Sequence, residues 1–156
     1  MKFRRATAQD TEVVVDLVTA MLKEMAVYGG RALSEDRLVR DRLYEHFLDV
    51  LEDDDHLCLF GLARGAGEPV GIVEAGLRHP HDIFRPALVV HVRALYVEPC
   101  YRGEGRGRRL LEEALSWGRD RGCAEATLSV LMGNPAWALY EGVGFEPFEL
   151  EMRLEL

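Results

Sequence analysis

Leu95-Tyr-Val-Glu-Pro-Cys-Tyr-Arg-Gly-Glu-Gly-Arg-Gly107 decides how this sequence is read. Its first residues close the run Ala87 to Val97, which carries four valines and reads as a central strand. Its last residues open a helix, roughly Gly105 to Arg121, in which Leu110, Leu111, Ala114, Leu115 and Trp117 supply a buried side and Gly122 the stop. Arg102 to Gly107 is therefore a strand-to-helix turn. The first NH groups of a helix lack intrahelical partners, so such a turn favours an anion. Glycines at 103, 105 and 107 remove side chains that would hold a phosphate away, and they permit backbone angles closed to other residues. Arg102, Arg106, Arg108 and Arg109 add positive charge nearby.

The familiar nucleotide motifs do not fit. A P-loop needs Gly-Lys-Ser/Thr, and a dinucleotide fingerprint needs G-x-G-x-x-G at the start of a βαβ unit. Here the glycines fall at G-x-G-x-G, late in the chain. Taken alone, the turn is compatible with a phosphate-binding domain of another kind or with a tight connection that binds nothing.

Upstream, Lys2 to Arg5 reads as a first strand, and Thr7 with Asp10 resembles a capping box. Val13, Leu17, Met21, Met25 and Tyr28 recur at helical spacing, giving a helix from Ala8 to about Val27 that ends at Gly29-Gly30. Ser34 is a candidate N-cap for a second helix with Leu38, Leu43, Phe47, Val50 and Leu51 on its apolar stripe. His56 to Arg64 and Pro69 to Arg78 then read as a hairpin about Gly65-Ala-Gly-Glu-Pro69. Downstream, Cys123 to Leu131 is a strand, Pro135 to about Gly142 a short helix, and Phe145 to Leu156 one or two terminal strands. The order β-α-α-β-β-β-α-β-α-β-β predicts an α+β domain with helices on a mixed sheet, spanning 1-156 without repeat or linker.

Composition narrows the function classes. At 48% apolar and 29% charged residues the chain has the balance of a globular protein, and its formal net charge of -8 disfavours a nucleic-acid partner while suiting a cationic or amine substrate. Glu52-Asp-Asp-Asp55 reads as a solvated loop. No apolar run approaches the roughly 20 residues of a membrane span, and Met1-Lys-Phe-Arg-Arg leads into polar sequence, so a cytoplasmic protein without membrane partner is expected. Cys58, Cys100 and Cys123 lack C-x-x-C spacing and read as reduced core or near-core thiols. His79, His81 and Asp82 form an incomplete ligand set in a loop, so no metal is expected.

The opening stretch, followed by Leu110-Leu111, resembles the acetyl-CoA motif of the GCN5-related N-acetyltransferases, Gln/Arg-x-x-Gly-x-Gly/Ala, met by Arg102, Gly105 and Gly107. A second signature of that family, Ala-x-x-Leu/Phe-Tyr-Glu-x-x-Gly-Phe, is met by Ala136, Leu139, Tyr140, Glu141, Gly144 and Phe145. The element order read above is also the family order. The resemblance implies the acyl-CoA N-acyltransferase (GNAT) fold, with acetyl-CoA as cosubstrate and no metal. It implies a pyrophosphate site on Arg102, Gly103, Glu104, Gly105, Arg106 and Gly107, and a pantetheine arm along the backbone of Leu95, Tyr96 and Val97, where the strand splays from its neighbour.

The resemblance further implies direct attack of a primary amine on the thioester, with Tyr140 as general acid, a phenol being able to protonate a departing thiolate. His91 falls where some relatives carry a catalytic carboxylate and Arg93 where others do; neither is a carboxylate. His91, with a reference pKa of roughly 6.5, is a candidate base, and Glu74 on the preceding strand is a competing base or amine-binding group. The family often places an Asn seven residues before the Tyr; Gly133 stands there, and Asn134, one later, is the cofactor residue carried over. A homodimer is common among such proteins. Gly71-Ile-Val-Glu-Ala-Gly-Leu-Arg-His79 is also similar to the corresponding strand and loop of aminoglycoside 6'-N-acetyltransferases, which implies a small cationic amine or aminoglycoside as one acceptor class. Because the catalytic carboxylate is missing, a non-catalytic acyl-CoA-binding or sensing module of the same fold is the alternative.

Overall fold

The computed structural model describes residues 2–34, 36, 38–65, 67–80 and 88–155. Its elements are β1 (Lys2–Arg5), α1 (Thr11–Val27), α2 (Val39–Glu52), β2 (His56–Leu62), β3 (Pro69–Arg78), β4 (Val89–Val97), α3 (Arg106–Asp120), β5 (Glu125–Leu128) and α4 (Trp137–Val143), with short 3-10 turns at Ala8–Asp10 and Pro99–Tyr101. Five strands form one sheet in the order β1-β2-β3-β4-β5. The first four are antiparallel in succession, and β5 joins β4 in parallel after the α3 crossover, giving the expected mixed α+β architecture.

Both sheet faces are covered, so the central strands are buried on both sides. On one face Phe60, Ile72 and Tyr96 pack with Val14, Val18 and Phe47 of α1 and α2. On the other, Val73, Val92 and Val97 pack with Leu110, Leu111 and Ala114 of α3. Gly118 lets α3 approach the sheet, since a Cβ there would lie 2.6 Å from Val90 Cγ1. Asp10 closes the entry to α1, accepting from Thr7 N at 2.9 Å and from both Arg4 guanidinium NH groups. That arginine holds the Asp10 carboxyl well below the usual carboxylate range.

Four expectations are corrected. The buried stripe of α1 runs through Thr11, Val14, Val15, Leu17 and Val18, while Val13 is 37% exposed. Ser34 does not cap α2: its Oγ accepts from Asp36 N, and α2 begins at Val39. Cys100 is exposed, unlike buried Cys58, whose thiol is pushed up to about 12 by burial and by Glu74. Residues 145–155 form no strand, although their sequence alternates as a strand should.

Two irregularities in β4 position the site. A bulge sets Ala94 opposite Glu74 and Val92 opposite Ala75, leaving Arg93 as the extra residue. The ladder to β5 stops at the Val92–Leu128 pair, so Ala94 to Val97 continue beside β3 without a β5 partner.

Candidate active site

The turn sits where that unpaired end of β4 meets α3. Gly103 and Gly105 take φ of +86° and +71°, a conformation that costs an L-residue roughly 1–2 kcal/mol. A Cβ at either would meet nothing within 4 Å, so backbone angle and not crowding requires glycine, and the approach to the turn is clear. Arg109 N closes the first helical hydrogen bond on Gly105 O at 3.1 Å. The NH groups of Arg106, Gly107 and Arg108 precede it and have no intrahelical acceptor, leaving a donor cluster at the positive end of a 15-residue helix.

The arginines divide the work differently from expectation. Arg102 turns away from the helix start: Nε donates to Val97 O at 2.7 Å, and its two terminal NH groups grip the Glu24 carboxylate at 2.9 and 2.7 Å. It clamps the end of β4 to α1 and is held more firmly charged by Glu24. Arg106 donates to Tyr101 O at 2.6 Å and pairs with Glu104 at 2.7 Å, fixing the loop that precedes it. A shallow recess lined by Leu62, Arg64, Glu104, Arg106 and Arg109 lies beside the turn. Arg64, at the β2–β3 hairpin, carried no sequence signal for this place.

Helix α4 is docked on the same turn. Leu139 Cδ2 would be 3.5 Å from a Cβ on Gly107, and Arg108 donates to Gly142 O at 2.8 Å. Tyr140 thus stands on a helix seated against the first turn of α3, its ring edge-on to Phe145 at 6.1 Å. Burial pushes its phenol pKa up, so it keeps its proton at neutral pH and is a donor. Asn134 opens this helix: Oδ1 accepts from Ala136 N at 2.9 Å and its backbone O from Trp137 N. That side-chain oxygen is committed to the helix entry.

The candidate bases lie on the α1/α2 face of the sheet. Glu74 follows Ile72 by two residues and shares its face; Gly76 continues that face, with His56 and His91 as its cross-strand neighbours. The missing Gly76 side chain makes room there, because a Cβ would come within 2.8 Å of the His56 ring and 3.1 Å of Arg93. Arg93 Nη1 lies 2.7 Å from His56 Nε2 and 3.4 Å from Glu74 Oε1, and His56 Nδ1 lies 2.8 Å from Asp53 Oδ2. A polar chain Asp53–His56–Arg93–Glu74 therefore crosses the sheet, with Glu74 only 4% exposed. His91 bonds Thr127 Oγ1 through Nδ1 at 2.8 Å. Burial, then Arg78 and Arg93, push its pKa down to about 4, so its imidazole is neutral at pH 7.

Sequence reading had singled out Glu74, His91 and Arg93 but missed Asp53, His56, Thr127, Glu24 and Arg64. Their roles arise from register, and the bulge that sets Arg93 beside His56 has no local signature. His81 and Asp82 lie outside the described residues.

Comparison with known proteins agrees with this architecture. Residues 22–145 match the Acetyltransferase (GNAT) family. The aminoglycoside N(6')-acetyltransferase type 1 of Stenotrophomonas maltophilia is 38% identical over 85 residues, covering 53% of this chain and 56% of that protein. A thialysine N-epsilon-acetyltransferase of Sus scrofa is 26% identical over 134 residues, 81% of this chain and 75% of that one. The chain thus spans little more than half the length of the first of these. Among solved structures, a GCN5-related N-acetyltransferase from Ralstonia eutropha superposes with TM-score 0.79 at 24% identity, covering 98% of this chain and 97% of that chain. Aminoglycoside 6'-N-acetyltransferase AAC(6')-IG from Acinetobacter haemolyticus gives 0.77 at 17% identity over 100% and 98%. The turn, the parted strands and the docked α4 described above are therefore those of a member of the GNAT acetyltransferase family.

Proposed function

We propose that this protein is an acetyl-CoA-dependent N-acetyltransferase acting on a primary amine. The observation that carries the proposal is the conjunction at one place of three features: the donor cluster at the start of α3, the β4 edge left unpaired beyond Val92, and the helix bearing Tyr140. The fit to the cofactor rests on the clear space around Gly103 and Gly105 and on the unpartnered NH groups of Arg106, Gly107 and Arg108. The backbone from Gly103 to Gly107 would hold the pyrophosphate, and Leu95, Tyr96 and Val97 would line the pantetheine arm. Acetyl-CoA, when bound, supplies the thioester carbonyl that an unprotonated amine attacks.

The chain's own groups supply the rest. Tyr140, kept protonated by burial, holds the proton that a leaving thiolate needs. Glu74 offers a buried carboxylate to an ammonium group, with Arg93 and His56 fixing its position. His91, neutral at pH 7, can accept a hydrogen bond from the amine or from a water relaying its proton, but its depressed basicity makes it a weak base. In this reading the acceptor is a small cationic amine, with aminoglycosides the first class to test. The net charge of -8 and the 38% identical relative support that choice. The same reading places the protein in the cytoplasm.

Calorimetry with acetyl-CoA is expected to show binding; absence of heat at millimolar ligand overturns the proposal. Mass spectrometry of an amine panel that includes aminoglycosides and lysine derivatives reads the acceptor. The weak basicity of His91 and the Glu74–Arg93 pairing favour a second reading, a module that binds acyl-CoA without turnover. That reading requires cofactor binding with no acetylated product from any amine, and enzymatic turnover of one amine eliminates it.

A further inference from the structure

Arg93 and Glu74 make an incomplete ion pair, and the cause is the way Arg93 is held. A guanidinium beside a carboxylate favours a two-pronged contact at roughly 2.7–2.9 Å. Here one prong reaches Glu74, Nη1 to Oε1 at 3.4 Å, although the Glu74 side chain is only 5% exposed. The same Nη1 lies nearer an imidazole nitrogen, 2.7 Å from His56 Nε2. Arginine carries donors and no acceptor, so His56 Nε2 accepts there and the ring proton sits on Nδ1.

That tautomer is imposed from behind. His56 Nδ1 lies 2.8 Å from Asp53 Oδ2, while Asp53 Oδ1 accepts from Asp55 N at 2.8 Å. The Asp55 NH, then His56, hold the Asp53 carboxyl below the usual carboxylate range, so both oxygens stay acceptors. Three elements fix the ring. Asp53 is the C-cap of α2, Arg5 of β1 donates to His56 O at 2.8 Å, and on β3 the cross-strand partner Gly76 has no Cβ to strike the imidazole.

We infer that Asp53 and His56 are positioning residues for the acceptor: they hold Arg93 back from Glu74, so that this buried carboxylate stays open to the ammonium of the incoming amine. The inference rests on Glu74 as the ammonium-binding group of the proposed function. A buried carboxylate with one long contact is incompletely compensated, and a second cation offsets that cost. Without the imidazole, Arg93 closes its fork on Glu74, and the amine competes with a tethered cation at high effective concentration.

The full chain, saturated with CoA so that nothing turns over, is titrated by calorimetry with kanamycin and with putrescine as amine probes. His56→Leu should raise the amine Kd about tenfold or more, whereas His56→Gln, whose Oε1 can accept at the place of Nε2, should stay within about threefold of the parent. Adding Arg93→Gln to His56→Leu should recover the affinity, because the competing cation is gone. Asp53→Asn removes no volume but leaves one acceptor oxygen for two donors, so it should weaken the amine in the same direction. Equal affinities in the parent, His56→Leu and Asp53→Asn overturn the inference, as does a double variant that stays weak. Long-range proton–nitrogen NMR of the parent should show the His56 proton on Nδ1; a proton on Nε2 overturns it without any amine. A crystal structure of His56→Leu should show Arg93 meeting Glu74 through two contacts, and an unmoved guanidinium counts against it. Acetyl-CoA heat is the control: its absence from the parent overturns the proposed function, while its presence with both amines silent overturns this inference alone.

Discussion

Tyr140 and His91 are distinguished by how burial acts on each. It raises the pKa of a phenol and lowers that of an imidazole, because both charged forms are poorly solvated. Tyr140→Phe is expected to lower kcat by about 10²-fold or more while leaving acetyl-CoA affinity unchanged in calorimetry. His91 gives a stability test with a definite sign. Its pKa falls from 6.5 to about 4 on folding, so between those values the unfolded chain binds the extra proton. The contribution is complete above pH 6.5 and is lost as pH falls toward 4, an effect on the order of 2–3 kcal/mol. Urea unfolding at pH 7 and pH 4.5 should show this loss, and His91→Gln should reduce the pH slope. Tyr140 was legible in the sequence because its motif is contiguous. Asp53 and His56 were not, because their link to Glu74 runs through Arg93, 37 residues from His56 and displaced by a bulge.

At the level of elements, the α3 turn and the packing of α3 on the sheet make separate demands on glycine. Gly105→Val should cost about 1–2 kcal/mol because its φ is +71°, and it should weaken acetyl-CoA binding measured by calorimetry. Gly118→Ala should cost about 1–3 kcal/mol by overpacking against Val90, read in thermal unfolding, with cofactor affinity retained in the folded fraction. Arg102→Lys should destabilise nearly as much as Arg102→Ala, since an ammonium cannot reproduce the fork that holds Glu24 and Val97 O together. The helices and strands were legible because burial imposes periods of 3.6 and 2 on the sequence. Their faces were less so. The sheet burying Val14 and Val18 fixed the rotation of α1 and left Val13 in solvent, although the sequence spacing admitted it to the stripe.

For the whole molecule, the two covered sheet faces and the site at the parting of β4 and β5 follow from a single topology. The acidic charge of the chain acts at this scale: if the acceptor is a polycation, its kcat/KM should fall as salt rises from roughly 10 to 200 mM through the screening of steering, and a salt-independent rate would argue for an uncharged acceptor approach. No described helix is long and apolar enough to cross a membrane. By itself the sequence determined the element order as far as α4, the mixed sheet, the glycine turn and the position of Tyr140, because each is written in local periodicity or in a contiguous motif; the alternation after α4 reads as strand and forms none. Only the tertiary structure decided that Arg102 serves as a clamp to Glu24, that Arg93 joins His56 to Glu74, and that the terminal alternating segment lies uncovered. These depend on contacts between distant parts of the chain, and such contacts are set by strand register and packing, which no local pattern encodes.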